Sequence, residues 1–120
     1  MDKKLDWNCA LDAVGGSAEL LVELVTIFFE EYPKLIDGIR SSIESHDLVE
    51  LRRFAHTLKG CLRYFGPTHA SDLSFELEAM GRDGQIERAT EVLSDLQIEM
   101  ETLFPELKAF VASQSSDSDA

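Results

Sequence analysis

The stretch Leu48-Val49-Glu50-Leu51-Arg52-Arg53-Phe54-Ala55-His56-Thr57-Leu58-Lys59-Gly60-Cys61-Leu62-Arg63-Tyr64-Phe65 decides the fold. Its apolar seam is Leu48, Leu51, Ala55, Leu58, Leu62 and Phe65, with spacings that alternate between three and four. That is the rhythm of a helix packed in a bundle. At about 100° per residue, His56 falls about 130° from the centre of the seam, so it is expected to face solvent. Arg52, Lys59 and Arg63 lie within about 60° of one another on the same flank as His56. Asp47, with Glu50 three residues on, resembles a capping box at the start of this helix.

The same rhythm extends outward. Downstream, Gly66-Pro67 ends the helix and restarts the chain. Ala70, Leu73, Leu77 and Met80 then line a further helix, and Asp83-Gly84 is a turn. Ile86, Ala89, Leu93, Leu96, Met100, Leu103, Leu107 and Phe110 line the last helix, with a late kink expected at Pro105. Upstream, residues 8–14 form a short helix led by Trp7. Gly15-Gly16 breaks it, and Ser17 caps a long helix whose apolar face is Leu21, Leu24, Val25 and Phe28. Leu35, Ile36, Ile39 and Ile43 continue that face beyond a bend at Pro33, and Ser45-His46-Asp47 is a turn. No strand pattern, glycine-rich phosphate loop or repeat is evident. The fold class is therefore all-α: an antiparallel four-helix bundle with a short extra N-terminal helix. Residues 1–112 make one domain. Residues 113–120, polar and acidic with nothing to bury, read as a disordered tail.

Composition narrows the function. The chain has 120 residues, 44% of them apolar, enough for one core without staples. With 23 Asp and Glu against 11 Lys and Arg, the net charge is −12. That argues against general nucleic-acid binding and against anionic membrane surfaces. No apolar run approaches the roughly 20 residues that span a bilayer, and Met1-Asp2-Lys3-Lys4 lacks the apolar stretch of a secretory signal, so a cytoplasmic protein is expected. Cys9 and Cys61 are most simply free thiols, and no ligand spacing suggests a metal site. Monomer is the expected state, because the seams fill one bundle.

Against this acidic background, four of the cations, Arg52, Arg53, Lys59 and Arg63, surround His56. Imidazole is partly neutral and nucleophilic near pH 7. Neighbouring cations attract a phosphoryl group and offset its charge. Phosphoryl transfer asks mainly for positioning and charge stabilisation. A rigid helix supplies the first; Lys59, Arg63 and Arg52 supply the second. Gly60 sits one turn from His56 on the exposed side, where glycine costs about 1 kcal/mol against alanine. Clearance for a second protein approaching the imidazole explains that cost; the plainer alternative is a tolerated helix defect. His46 and His69 read as surface residues. A general-base enzyme is disfavoured, because a convex helix surface offers no pocket and no second polar group to orient the ring.

The run His56-Thr57-Leu58-Lys59-Gly60 resembles the signature of the histidine-phosphotransfer (HPt) family. Gly66, the upstream Trp7 and Gly15-Gly16, the stretch around Pro33 and the Asp83-Gly84 turn resemble it too, over roughly residues 6–110. The resemblance implies a helical bundle without ATP chemistry or a cofactor of its own, which shuttles a phosphoryl group between aspartates of receiver domains. Those receivers belong to response regulators and to a hybrid histidine kinase, and the partner receiver supplies Mg²⁺. Carried over by position, His56 is phosphorylated, Lys59 is its charge partner and Gly60 gives clearance. The chain departs from the pattern at Leu62, larger than is common there, and at the bulky Arg63-Tyr64-Phe65. It departs again at Glu78, where some members have glutamine. A carboxylate there repels a phosphoryl group unless neutralised, and Arg82, four residues on, is the expected partner, the two together tuning phosphohistidine lifetime. Val49 and Phe75 are expected to be exposed on the docking face. The alternative is an HPt-like module that binds protein without phosphorylation.

Overall fold

The computed structural model describes residues 5–66 and 68–118. Pro67, the first four residues and the last two, which include part of the expected tail, lie outside the described residues. Five helices follow in order: α1 (Trp7–Ala13), α2 (Ala18–Ser45), α3 (Leu48–Arg63), α4 (His69–Asp83) and α5 (Ala89–Ser118). There is no strand among the described residues.

Helices α2 to α5 form a ring in which each packs against its two neighbours, α2 on α3, α3 on α4, α4 on α5 and α5 back on α2. The links are two to five residues long, which obliges adjacent helices to run antiparallel. Each start has a local cause. Ser17 Oγ accepts from the Leu20 N–H, Asp47 Oδ1 from the Glu50 N–H, and Thr68 and Ser71 form a reciprocal capping box. The reciprocal half expected at Asp47 is absent, because the Glu50 carboxylate turns forward to Arg53. Gly84, at φ +77°, closes α4.

The seam read from the sequence is the core. Leu51, Ala55, Leu58, Leu62, Leu77, Leu96, Met100 and Leu107 are wholly buried, and Phe65 nearly so. A fully buried leucine contributes about 1.5–3 kcal/mol. The three on α3 therefore outweigh the roughly 1 kcal/mol that Gly60 costs the helix. α1 closes one end of the bundle. Trp7 stacks on Phe110 with ring centroids 4.4 Å apart, and the Asp6 N–H donates to the Phe65 carbonyl at 2.9 Å. Gly66 is required at this junction: its φ is +90°, and a Cβ there would fall 2.8 Å from Asp6 Cβ.

The start of α5 differs from the sequence reading, and both prolines expected to bend a helix lie inside one. α2 and α5 run unbroken through Pro33 and Pro105, both exposed, where water can satisfy the carbonyl left without its N–H donor. α5 begins at Ala89, with Ile86 in the preceding turn accepting the Ala89 N–H. α5 also continues to Ser118, past the expected domain end at 112. Phe110 and Val111 pack against the core and hold the helix there, and the Ser113 hydroxyl bonds back to the Phe110 carbonyl. Among the described residues no helix is long and apolar enough to cross a membrane.

Candidate functional site

His56 lies in the middle of α3, on the face turned away from the core, with its side chain 67% exposed. The face it occupies is defined by α4, which comes very close to α3. A Cβ at Gly81 would lie 2.7 Å from the Arg52 nitrogen and 2.9 Å from the Leu48 carbonyl oxygen. Only glycine permits that approach of backbone to side-chain position. One turn before Gly81, α4 carries Glu78, and the close approach delivers its carboxylate to the histidine.

Glu78 Oε2 stands 2.7 Å from His56 Nδ1. Its other oxygen, Oε1, is 2.6 Å from Lys59 Nζ, a charge contact that is not aligned as a hydrogen bond. Burial between the helices pushes the Glu78 carboxyl up, but Lys59 and His56 together overcome this and hold it below the usual carboxylate range. An ionised carboxylate can only accept, so Nδ1 must be the donor. In the neutral ring this leaves the lone pair on Nε2, the nitrogen that points away from Glu78. The helix pair thus fixes which ring nitrogen keeps its lone pair.

Lys59 is mostly covered. Its ammonium lies 5.1 Å from the centre of the Phe75 ring, and that ring is half exposed on α4. Sequence reasoning put Phe75 on the exposed side of its helix, and it is there; Val49, 75% exposed, is also where it was expected. Val49, Arg52, Arg53, His56, Thr57 and Glu78 line a shallow groove of about 350 Å³. Arg53 is paired with Glu50, whereas Arg52 has no ion pair among the described residues. A Cβ at Gly60 would meet nothing within 4 Å. Gly60 and Arg63, with Ala13 and Tyr64, border a separate concavity toward α1. The structure therefore gathers Val49, Arg52, His56, Lys59, Phe75 and Glu78 at one place and sets Arg63 apart on the Gly60 side.

The expected pairing of Glu78 with Arg82 does not form. Arg82 Nε donates to Asp83 at 3.0 Å and stays in solvent, while Glu78 turns inward to α3. An i, i+4 spacing on one helix favours a pair only when both side chains face the same medium. Glu78 instead faces the helix interface. Its real partners sit 19 and 22 residues earlier, a contact that only helix packing creates. The close-packing role of Gly81 was also missed; a glycine inside an amphipathic helix was the available signal. Gly38 is comparable, since a Cβ there would meet the Phe54 ring at 2.7 Å.

The remaining candidates are peripheral. His69 pairs with Glu99 at 3.1 Å, and His46 takes a left-handed conformation at the end of α2. Cys9 is exposed and Cys61 half-buried, and both are free thiols. Burial pushes the Cys61 thiol up, which lowers its reactivity.

The Hpt domain family model matches residues 23–109. The chain is similar to the phosphorelay intermediate protein rdeA of Dictyostelium discoideum, with 26% identity over 108 residues. That match takes in 90% of this chain and 42% of the relative, so the chain spans less than half the length of that protein. The fold is shared with histidine-containing phosphotransfer protein B (HptB) from Pseudomonas aeruginosa PAO1, at a TM-score of 0.82 and 19% identity, covering 91% of this chain and 95% of that one. It is shared also with the HPT domain of a sensor hybrid histidine kinase from Shewanella, at a TM-score of 0.77 and 18% identity, covering 91% and 94%. With the family model matched along most of its length, the chain belongs to the Hpt domain family.

Proposed function

We propose that His56 accepts a phosphoryl group at Nε2 from the aspartyl phosphate of one receiver domain and gives it to the aspartate of another. The observation that carries this reading is the orientation of the ring: Nδ1 is engaged by Glu78, and Nε2 is presented to solvent on a helix face left open at Gly60. In the forward step the Nε2 lone pair forms a bond to phosphorus. The bond from phosphorus to the aspartyl oxygen breaks, and its electron pair leaves with the carboxylate. The second transfer reverses this at a new aspartate.

The shallow, open groove at His56 suits docking of a second protein, and we read the chain as a carrier with no site for ATP or a small substrate. The receiver brings the carboxylate pocket and Mg²⁺, and Val49, Phe75 and Gly60 meet it. Arg52, and Arg63 from the far side, supply positive charge to the bound phosphoryl group. The working form is a cytoplasmic monomer. Incubation with a phosphorylated receiver and Mg²⁺ tests this reading. Acid-labile, base-stable phosphate should appear on the wild type and be absent from His56→Gln. No label with any receiver from the source genome would favour a binding module that acts without phosphorylation.

A further inference from the structure

Neither Arg52 nor Arg63 has an acidic residue three or four positions away, where a helix pairs its charges. Every other arginine has a carboxylate at 3.5 Å or closer: Arg40 has Asp37, Arg53 has Glu50, Arg82 has Asp83 and Arg88 has Glu91. Arg52 and Arg63 are both exposed and have no ion pair among the described residues. In a chain with 23 Asp and Glu against 11 Lys and Arg, two uncompensated arginines on one helix call for a reason. Arg63, in the last turn of α3, complements the negative end of the helix dipole. Arg52, in the second turn, has no such use.

The two stand on one line. They are about three helical turns apart, so they leave α3 within about 20° of each other and about 16 Å apart along its axis. His56 lies between them. Each arginine borders its own hollow beside an exposed apolar side chain. Arg52 lies with Val49 on the groove of about 350 Å³, and Arg63 with Tyr64 on the concavity of about 330 Å³ beyond Gly60. We propose that Arg52 and Arg63 form a two-point clamp that selects the receiver and sets its orientation. The partner presents a carboxylate beside an apolar side chain at two places about 16 Å apart, one on each side of its phosphoryl-bearing aspartate. The clamp rests on the carrier reading of His56 and adds to it the surface that the partner must carry.

Charge balance favours an acidic partner surface. The chain carries −12 overall, so most of its surface repels another acidic protein, and this stripe is where one is attracted. Arg53 and Lys59 lie on the same helix but are already engaged with Glu50 and Glu78, so they offer little charge to a partner. Two contacts fix the long axis of the partner along α3, which a single contact cannot do. The clamp also has a direction. His56 is about 6 Å from Arg52 and about 10 Å from Arg63 along the axis, so a reversed partner would hold its aspartate away from the ring. Nucleic acid, the other polyanion, is disfavoured by the net charge.

Charge reversal on the full chain tests the clamp. Arg52→Glu and Arg63→Glu are compared with Lys108→Glu, which makes the same change of net charge at an exposed site on α5. Two rates are measured for each: phosphoryl transfer from a phosphorylated receiver, and labelling by phosphoramidate, a small donor that needs no receiver. Their ratio removes whatever charge the arginines lend to the phosphoryl group, and phosphoramidate labelling also shows that each variant is folded. Replacing an attraction by a repulsion should lower the ratio by about tenfold for each arginine at low salt, and the loss should shrink as salt screens the contact. Lys108→Glu should stay within about twofold of the wild type. Replacing the receiver's exposed carboxylates by lysine, one at a time, should restore transfer to Arg52→Glu at one position and to Arg63→Glu at another. A ratio unchanged in both arginine variants, or lowered equally by Lys108→Glu, overturns the clamp and leaves the carrier reading intact. A loss confined to one arginine, or one receiver position that restores both variants, overturns it as well. If the wild type is labelled by phosphoramidate but by no receiver, the carrier reading fails, and the receiver named as partner falls with it.

Discussion

Replacing Gly60 with alanine should make the protein more stable and a poorer carrier. A Cβ at that position meets no atom within 4 Å, so the methyl group causes no clash. The helix gains the difference between glycine and alanine in an exposed interior, about 1 kcal/mol. For a domain of this size the unfolding entropy is of order 250 cal/mol/K, so the melting temperature should rise by about 4 °C. The same methyl stands one turn from His56, on the face where a receiver is proposed to dock. Transfer should fall modestly for Gly60→Ala and further for Gly60→Gln and Gly60→Leu, as the side chain grows. Calorimetry and the rate of labelling from a phosphorylated receiver measure the two effects on the same samples. Labelling by phosphoramidate should be unaffected, because a small donor needs no clearance. If Gly60→Ala lowered the melting temperature, the open helix surface would be wrong. If Gly60→Leu accepted phosphoryl from the receiver at the wild-type rate, clearance would not be the reason for this glycine.

Gly81→Ala should have the opposite sign, since its Cβ would meet the α3 backbone and force the helices apart; a loss of about 1–3 kcal/mol is expected in urea unfolding. Phe75→Ala should leave stability nearly unchanged, because the ring is half exposed, yet slow labelling by a receiver; labelling at the wild-type rate would remove Phe75 from the docking face. Glu78, held below the usual carboxylate range once Lys59 and His56 offset the upward push of burial, binds protons less readily folded than unfolded. Its stabilising contribution is present above the unfolded pKa, near 4.3, and is lost as pH falls through the lower folded value. Urea unfolding should therefore separate wild type from Glu78→Gln most at pH 7 and bring them together in strong acid; a gap independent of pH would refute the ion-pair account.

The sequence by itself determined the helices and the face that His56 occupies. A spacing of three and four residues buries one stripe of a helix wherever the helix packs, so the stripe and its exposed complement follow from local periodicity. The exposure of His56, Val49 and Phe75 and the open position of Gly60 were legible for that reason. Caps at Ser17 and Asp47 were legible too, because the side chain that satisfies the first N–H groups lies within three residues of them. Glu78 was visible as a departure, but its partner was assigned to Arg82 from an i, i+4 spacing. Tertiary structure decided otherwise. The contact between α3 and α4 at Gly81 turned Glu78 inward, coupled it to His56 and Lys59, and left Arg82 to Asp83. Helical periodicity states which face is buried; it does not state which neighbour lies across that face or how closely two backbones approach. That distance depends on a glycine 25 residues from the histidine, and it is what selects Nε2 as the free nitrogen.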